Sequence, residues 1–369
     1  LSNTTLTGNV SINTGTGAGN IVFAGTVNGG SDLALAAGTG DVNFNGAVGA
    51  GARLGAITIN SANDVIAAAI TAASLTQVTG TGSTTLGGAV NTNAAAGVSV
   101  ANEAINLNAG LTTTTGGTVT LNATLGALTI AQAGDITSDG AVSLAGATGI
   151  STGGDVLTTG DTITYGNDVT LIGSISVDTT SGGNTNGADI TFAGSINADS
   201  AAANNRMLTL NAGINDLTLT GDIGNLQPLA GLTVTNADSA TFASDVFVND
   251  GTGTVNFVDT TKFVKFNGSL VAAKLLTGGN PFDLYLLGSN NVLSGGPTTL
   301  NNTGLVQIGD SATDVSLFTG GLTVTSAQPN TKLGGFIRTA SSAITLQRSS
   351  LVADTVLDTT NNGASVRGA

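Results

Sequence analysis

The chain has 369 residues and a mass of 35.7 kDa, with 55 glycines, 4% aromatic residues and a net charge of −14. No histidine, cysteine or tryptophan occurs, which excludes disulfides, thiolate and zinc–cysteine chemistry, and imidazole acid–base catalysis. So few bulky side chains cannot fill a deep globular core to a packing density of about 0.74, yet a mean hydropathy of +0.31 is too high for a disordered chain.

From the N-terminus the chain reads as short strands. Residues 20–28 (NIVFAGTVN) recur 21 positions later as 41–48 (DVNFNGAV), and again as 168–175 (DVTLIGSI) and 189–197 (DITFAGSIN). The shared form is Asn/Asp, then Ile/Val, any residue, Phe/Leu, any residue, Gly, any residue, Val/Ile. Each copy alternates apolar and polar residues between Gly, Asn and Asp, the pattern of a short half-buried strand. Stepping by 21, with one step of 22, gives a ladder of large apolar residues: Phe23, Phe44, Val65, Leu86, Leu107, Leu128, Ile150, Leu171 and Phe192. Residues 64–75 are rich in alanine and helix-compatible, but the ladder passes through them at Val65, so a strand is expected there too. A period near 21 suits one coil of a parallel β-solenoid, whose coils stack about 4.8 Å apart and are stable only against their neighbours. The expected fold is all-β, a parallel β-helix (β-solenoid) with about 21 residues per coil.

The aspartates cluster by position. Asp41, Asp64, Asp135, Asp155, Asp168, Asp189, Asp216, Asp222, Asp245 and Asp314 each stand directly before Val, Ile or Leu. That is the turn-to-strand junction, where an aspartate accepts a backbone N–H within the turn. Stacked carboxylates also suit calcium, a hard cation with oxygen ligands, although the tandem GGxGxDxUx signature is absent. No other cofactor is expected, and no catalytic or metal site is assigned. Taken as the residue before each ladder position, the outer surface reads Val22, Asn43, Asp64, Thr85, Asn106, Ala127, Gly149, Thr170, Thr191, too irregular for an ice-binding array.

Farther along, the character changes. Residues 1–260 carry 18 acids and two bases (Arg53, Arg206), whereas 261–369 carry five acids and seven bases. All four prolines follow residue 227, and seven of eleven phenylalanines lie between Phe242 and Phe318. We expect regular acidic coils over 1–240 and a bulkier, near-neutral continuation over 241–369, with a soft boundary and no linker. The apolar run 280–287 is a wider coil or a contact patch. Neither end reads as a cap: Leu1 runs straight into strand-like sequence and 366–369 stops abruptly, so an excerpt of a longer array, or copies stacking head to tail, is expected.

Rungs such as 105–110 (INLNAG), 119–123 (VTLNA), 208–213 (LTLNAG) and 228–234 (PLAGLTV) resemble the repeat regions of filamentous haemagglutinin-like adhesins and autotransporter passengers of bacteria. That resemblance implies a right-handed parallel β-helix, export to the cell surface, and an adhesive or scaffolding role, with no binding residue carried over. The Asn-Pro-Asn motifs of that family's secretion domain do not occur here. The expected function is a non-enzymatic extracellular rod, an adhesin stalk or fibre subunit. Its expected partners are further copies or flanking repeats, and surface glycans or host or neighbouring cells, with no nucleic acid and no membrane insertion. The alternatives are a calcium-stabilised surface-layer protein and a β-helix carbohydrate-active enzyme. For the latter, the scarcity of bases before residue 261 and the absence of paired aspartates count against a site.

Overall fold

The computed structural model describes residues 1–200, 206–249, 251–325 and 331–360. The 366–369 end and Pro329 lie outside the described residues. The described chain is nearly all β, with one short 3-10 turn at Ser181–Gly183, and its strands stack in parallel as a β-solenoid of about 23 residues per turn. Contacts divide it into two compact units, Leu1–Gly187 and Ala188–Ala369. The composition shift at 241 thus falls inside the second unit.

In the first unit three faces recur in each coil. The first is built from Ile21–Phe23, Val42–Phe44, Val65–Ala67, Ser83–Leu86, Ala104–Leu107, Leu128–Ile130, Ile150–Thr152 and Val169–Leu171, each parallel to the next. The second holds Val90–Thr92, Leu111–Thr113, Ile136–Ser138 and Val156–Thr158. The third holds Val10–Asn13, Leu33–Ala36, Leu54–Ser61, Val98–Asn102, Val119–Ala123, Val142–Gly146 and Ile163–Tyr165. The alanine-rich segment is strand, as its β-branched residues favour: Ile70–Gln77 bends through a corner and pairs with Val90–Thr92 by its first half and Val98–Asn102 by its second. Parallel stacking follows from winding, because every coil returns to the same face in the same direction.

The core is narrow. Residues of alternating parity point inward, so each face contributes two columns: Val119 and Leu121 are fully buried while Thr120 and Asn122 are exposed. Phe23 and Phe44 stack with ring centroids 5.1 Å apart and planes 7° apart, since in-register neighbours sit one strand spacing apart. A column of small hydroxyls fills the inner corner of the second face: Thr92 pairs with Thr113, Ser138 with Thr158, and all four are buried. The Thr113 and Ser138 hydroxyls are 3.0 Å apart, and Ser138 donates to the Gly117 carbonyl, so these two hydroxyls are satisfied locally, whereas the Thr92 hydroxyl is buried without a hydrogen-bond partner among the described residues.

The second unit repeats the plan with bulkier rungs. One inward column runs Phe192, Leu219, Phe242, Phe266, Leu286, Ile308, Leu333. Phe242 and Phe266 stack at 4.6 Å, and Phe257 meets both edge-on at 6.0 Å. The apolar run 280–287 belongs to this core rather than to a contact patch: Phe282, Leu284 and Leu286 are fully buried.

Tyr165 is also fully buried. Burial first, and the Asp155 charge second, push its phenol far above the ordinary tyrosine value; burial and Asp283 push Tyr285 up as well. A raised acid holds its proton in the folded state where the unfolded chain releases it. This contribution to stability is therefore intact below the ordinary tyrosine pKa of about 10 and is lost as pH rises through and beyond it. In a spectrophotometric alkaline titration, Tyr165 phenolate is expected only together with loss of the β-sheet circular dichroism signal. Two phenolates forming near the ordinary value with the signal intact would contradict the burial.

Candidate functional site

The nine ladder residues are all buried, but they do not form one column. Register places Phe44 opposite Ala67, not Val65, and Leu107 opposite Ile130, not Leu128. The first face therefore carries two adjacent columns. One runs Phe23, Phe44, Ala67, Leu86, Leu107, Ile130, Thr152, Leu171, and the other includes Val65, Leu128 and Ile150. Phe192 opens a column of the second unit. The cause is unequal coil length: successive steps along the first column are 21, 23, 19, 21, 23, 22 and 19 residues. A constant step slips by two residues, which in a strand returns to the same face and stays buried.

The outer surface changes with the register. On the first face the in-register row is Val22, Asn43, Ile66, Thr85, Asn106, Thr129, Ser151, Thr170; Asp64, Ala127 and Gly149 are not in it. A row not anticipated from sequence runs along the third face: Ser11, Ala34, Thr58, Thr76, Ser99, Thr120, Ser143, Thr164. Seven of its eight positions carry a hydroxyl, so this face is a near-continuous polar ridge.

The junction aspartates bond between coils rather than within their own turn. The Asp41 N–H donates to Asn20 Oδ1 at 2.9 Å, Asp64 N–H to Asp41 Oδ1 at 3.2 Å, and Ser83 N–H to Asp64 Oδ1 at 2.6 Å. Farther on, Asp155 N–H donates to Asp135 Oδ1 and Ser176 N–H to Asp155 Oδ1, at 2.9 and 2.7 Å. In the second unit, Asp216 N–H bonds Asp189 Oδ1, Asp245 N–H bonds Asp222 Oδ1, Ser269 N–H bonds Asp245 Oδ1, and Leu305 N–H bonds Asp283 Oδ1. Each side chain satisfies the first N–H of the following coil at the junction, where the ladder of strand hydrogen bonds has not yet begun. Asp314 instead accepts the Asp310 and Ser311 N–H groups inside its own turn. Among the described residues no three carboxylates converge as a metal site, so the geometry gives calcium no assigned ligands.

Asp155→Ala removes the acceptor of the Ser176 N–H and is expected to cost about 1–2 kcal/mol. Asp155→Asn keeps an oxygen acceptor, as Asn20 does for Asp41, and is expected to cost less than about 0.5 kcal/mol. Denaturant titration of the two variants checks this; equal losses would show that charge, not the hydrogen bond, matters.

Two further polar groups lock coils together. Arg53 donates to the Ala72 and Asn91 carbonyls at 2.6 and 3.0 Å, clipping its loop onto the two coils that follow. Inside the first unit, Thr84 donates to Gln77 Oε1 at 2.6 Å and Asn102 Nδ2 to Thr84 at 2.9 Å, a buried polar relay.

No family model, curated protein or solved structure matches the chain. The functional reading therefore rests on the geometry of this solenoid alone.

Proposed function

We propose that the chain is a non-enzymatic, extracellular structural and adhesive protein of the bacterial surface, an adhesin stalk or fibre subunit that binds surface glycans or further copies. The observation that carries this reading is the employment of the polar side chains. The junction Asn and Asp oxygens are committed to the N–H groups of the following coil, and the outward side chains of the third face's strands form a hydroxyl row. Chemistry spent on holding coil to coil suits a mechanical role.

Antibodies raised against the purified chain test the location: immunogold on intact cells of the source organism is expected to label their outer surface. Label reaching the antigen only after the cells are opened would sink the proposal. Incubation with polygalacturonate is expected to leave the polymer length unchanged, and chain cleavage would make the protein an enzyme.

A further inference from the structure

The outer row of the second unit that lies over the Phe192–Leu333 core column changes chemistry along its length. In register it reads Thr191, Thr218, Thr241, Lys265, Tyr285, Gln307, Lys332, Ser350. The hydroxyl pattern seen on the first unit is interrupted by two cations enclosing an aromatic ring and an amide. Four consecutive strands supply them, so Lys265 and Lys332 stand three strand spacings apart, about 14 Å.

Three details make this more than scattered surface charge. First, Lys265 and Lys332 form no salt bridge among the described residues, whereas Lys262 and Arg338 pair with Asp238 and Asp358. Second, the ring of Tyr285 is held down: its hydroxyl donates to Asp283 Oδ2 at 3.1 Å, and Asp283 Oδ1 is fixed by the Leu305 N–H at 2.8 Å. A bond to the residue two positions back lays the ring along its own strand, between the lysine rows. Third, Phe263 pairs with Asp283 one column over and is also partly exposed, so two aromatics sit on this face of a chain with 4% aromatics.

We infer that the Lys265–Tyr285–Gln307–Lys332 row is a binding surface for an acidic polysaccharide, a polymer of uronate-type sugars lying along the stacking direction. This deepens the glycan-binding part of the proposed function and rests on it. A sugar ring offers an apolar face to Tyr285 and hydroxyls to Gln307, and its carboxylates meet the two ammonium groups. Nucleic acid fits less well. Duplex DNA carries one charge per about 1.7 Å, while this face intersperses its lysines with Asp283 and has Asp310 within the field of Lys265, on a chain of net charge −14. Sparse carboxylates match sparse lysines.

The test is titration calorimetry of the full chain with polygalacturonate, with neutral dextran and poly-dT as comparison polymers. Polygalacturonate is expected to bind and to weaken as salt rises; dextran and poly-dT are expected to bind at least about ten-fold more weakly. Lys265→Gln with Lys332→Gln is expected to weaken polygalacturonate about ten-fold, and Tyr285→Ala about three-fold or more. Gln307→Lys, which adds a cation to the row, is expected to tighten binding several-fold. Unchanged affinity in the lysine variant and in Gln307→Lys, binding of dextran as tight as polygalacturonate, or poly-dT as tight, would each overturn the assignment. Absence of polyuronate binding together with immunogold label on the cell surface would sink this site alone and leave the structural reading standing.

Discussion

Phe44→Ala is expected to lower the unfolding free energy of the first unit by about 3–5 kcal/mol. Phe44 is fully buried and stacked on Phe23. On its other side the column continues as Ala67, whose methyl leaves a cavity of about 10 Å³ lined by Phe44, Ala67, Leu75, Gln77, Thr84 and Leu86. Removing the ring enlarges a void that neighbouring coils, fixed by parallel hydrogen bonding on all sides, have little freedom to close. The ring–ring stack adds to the loss. Because each coil touches chiefly its two neighbours, damage is expected to stay local. Hydrogen exchange in Phe44→Ala is expected to accelerate in the coils holding Phe23, Phe44 and Ala67 while strands near Leu144 keep their protection. Uniform acceleration across the unit would contradict nearest-neighbour stacking.

Gly49→Ala comes next in size, about 2–4 kcal/mol. Gly49 has φ of 73° and a Cβ there would lie 1.9 Å from the Thr71 carbonyl oxygen of the following coil. Both the left-handed backbone and the overlap count against the variant. The side chain would point along the stacking direction, where the next coil's backbone leaves no room. Gly116 separates the two causes: its φ is 71°, but nothing lies within 4 Å of its Cβ position. Gly116→Ala is therefore expected to lose only about 1–2 kcal/mol, from the backbone alone. Comparison of the two melting curves checks the difference, and equal losses would show that coil spacing is not what Gly49 serves.

How far the sequence spoke for the structure depends on what repeats regularly and what does not. Strand positions and inward parity were legible, because alternation such as that of Val119, Thr120 and Leu121 needs only local pattern. Register was not. Turns lengthen and shorten coils by a few residues, so a constant step of 21 passes from Phe44 to Val65 when the true partner is Ala67. The aspartates were recognisable as junction residues, but their acceptance of the next coil's N–H depends on that register. The buried hydroxyls Thr92, Thr113, Ser138 and Thr158 were hidden because threonine on a strand reads as outward-facing. The Lys265, Tyr285, Gln307, Lys332 row was hidden for the same reason as the columns: its steps are 20, 22 and 25 residues, and no fixed period joins them.

The absence of native cysteine allows a direct test of the stacking itself. Thr85, Asn106 and Thr129 occupy one outer position in three successive coils. Neighbouring strands lie about 4.8 Å apart, within disulfide reach, and next-but-one strands about 9.6 Å apart, beyond it. Under mild oxidation, the double variants Thr85→Cys with Asn106→Cys, and Asn106→Cys with Thr129→Cys, are predicted to form intramolecular disulfides. Thr85→Cys with Thr129→Cys is predicted to stay reduced. Ready closure of that third pair, or failure of both neighbouring pairs, would contradict the in-register parallel solenoid.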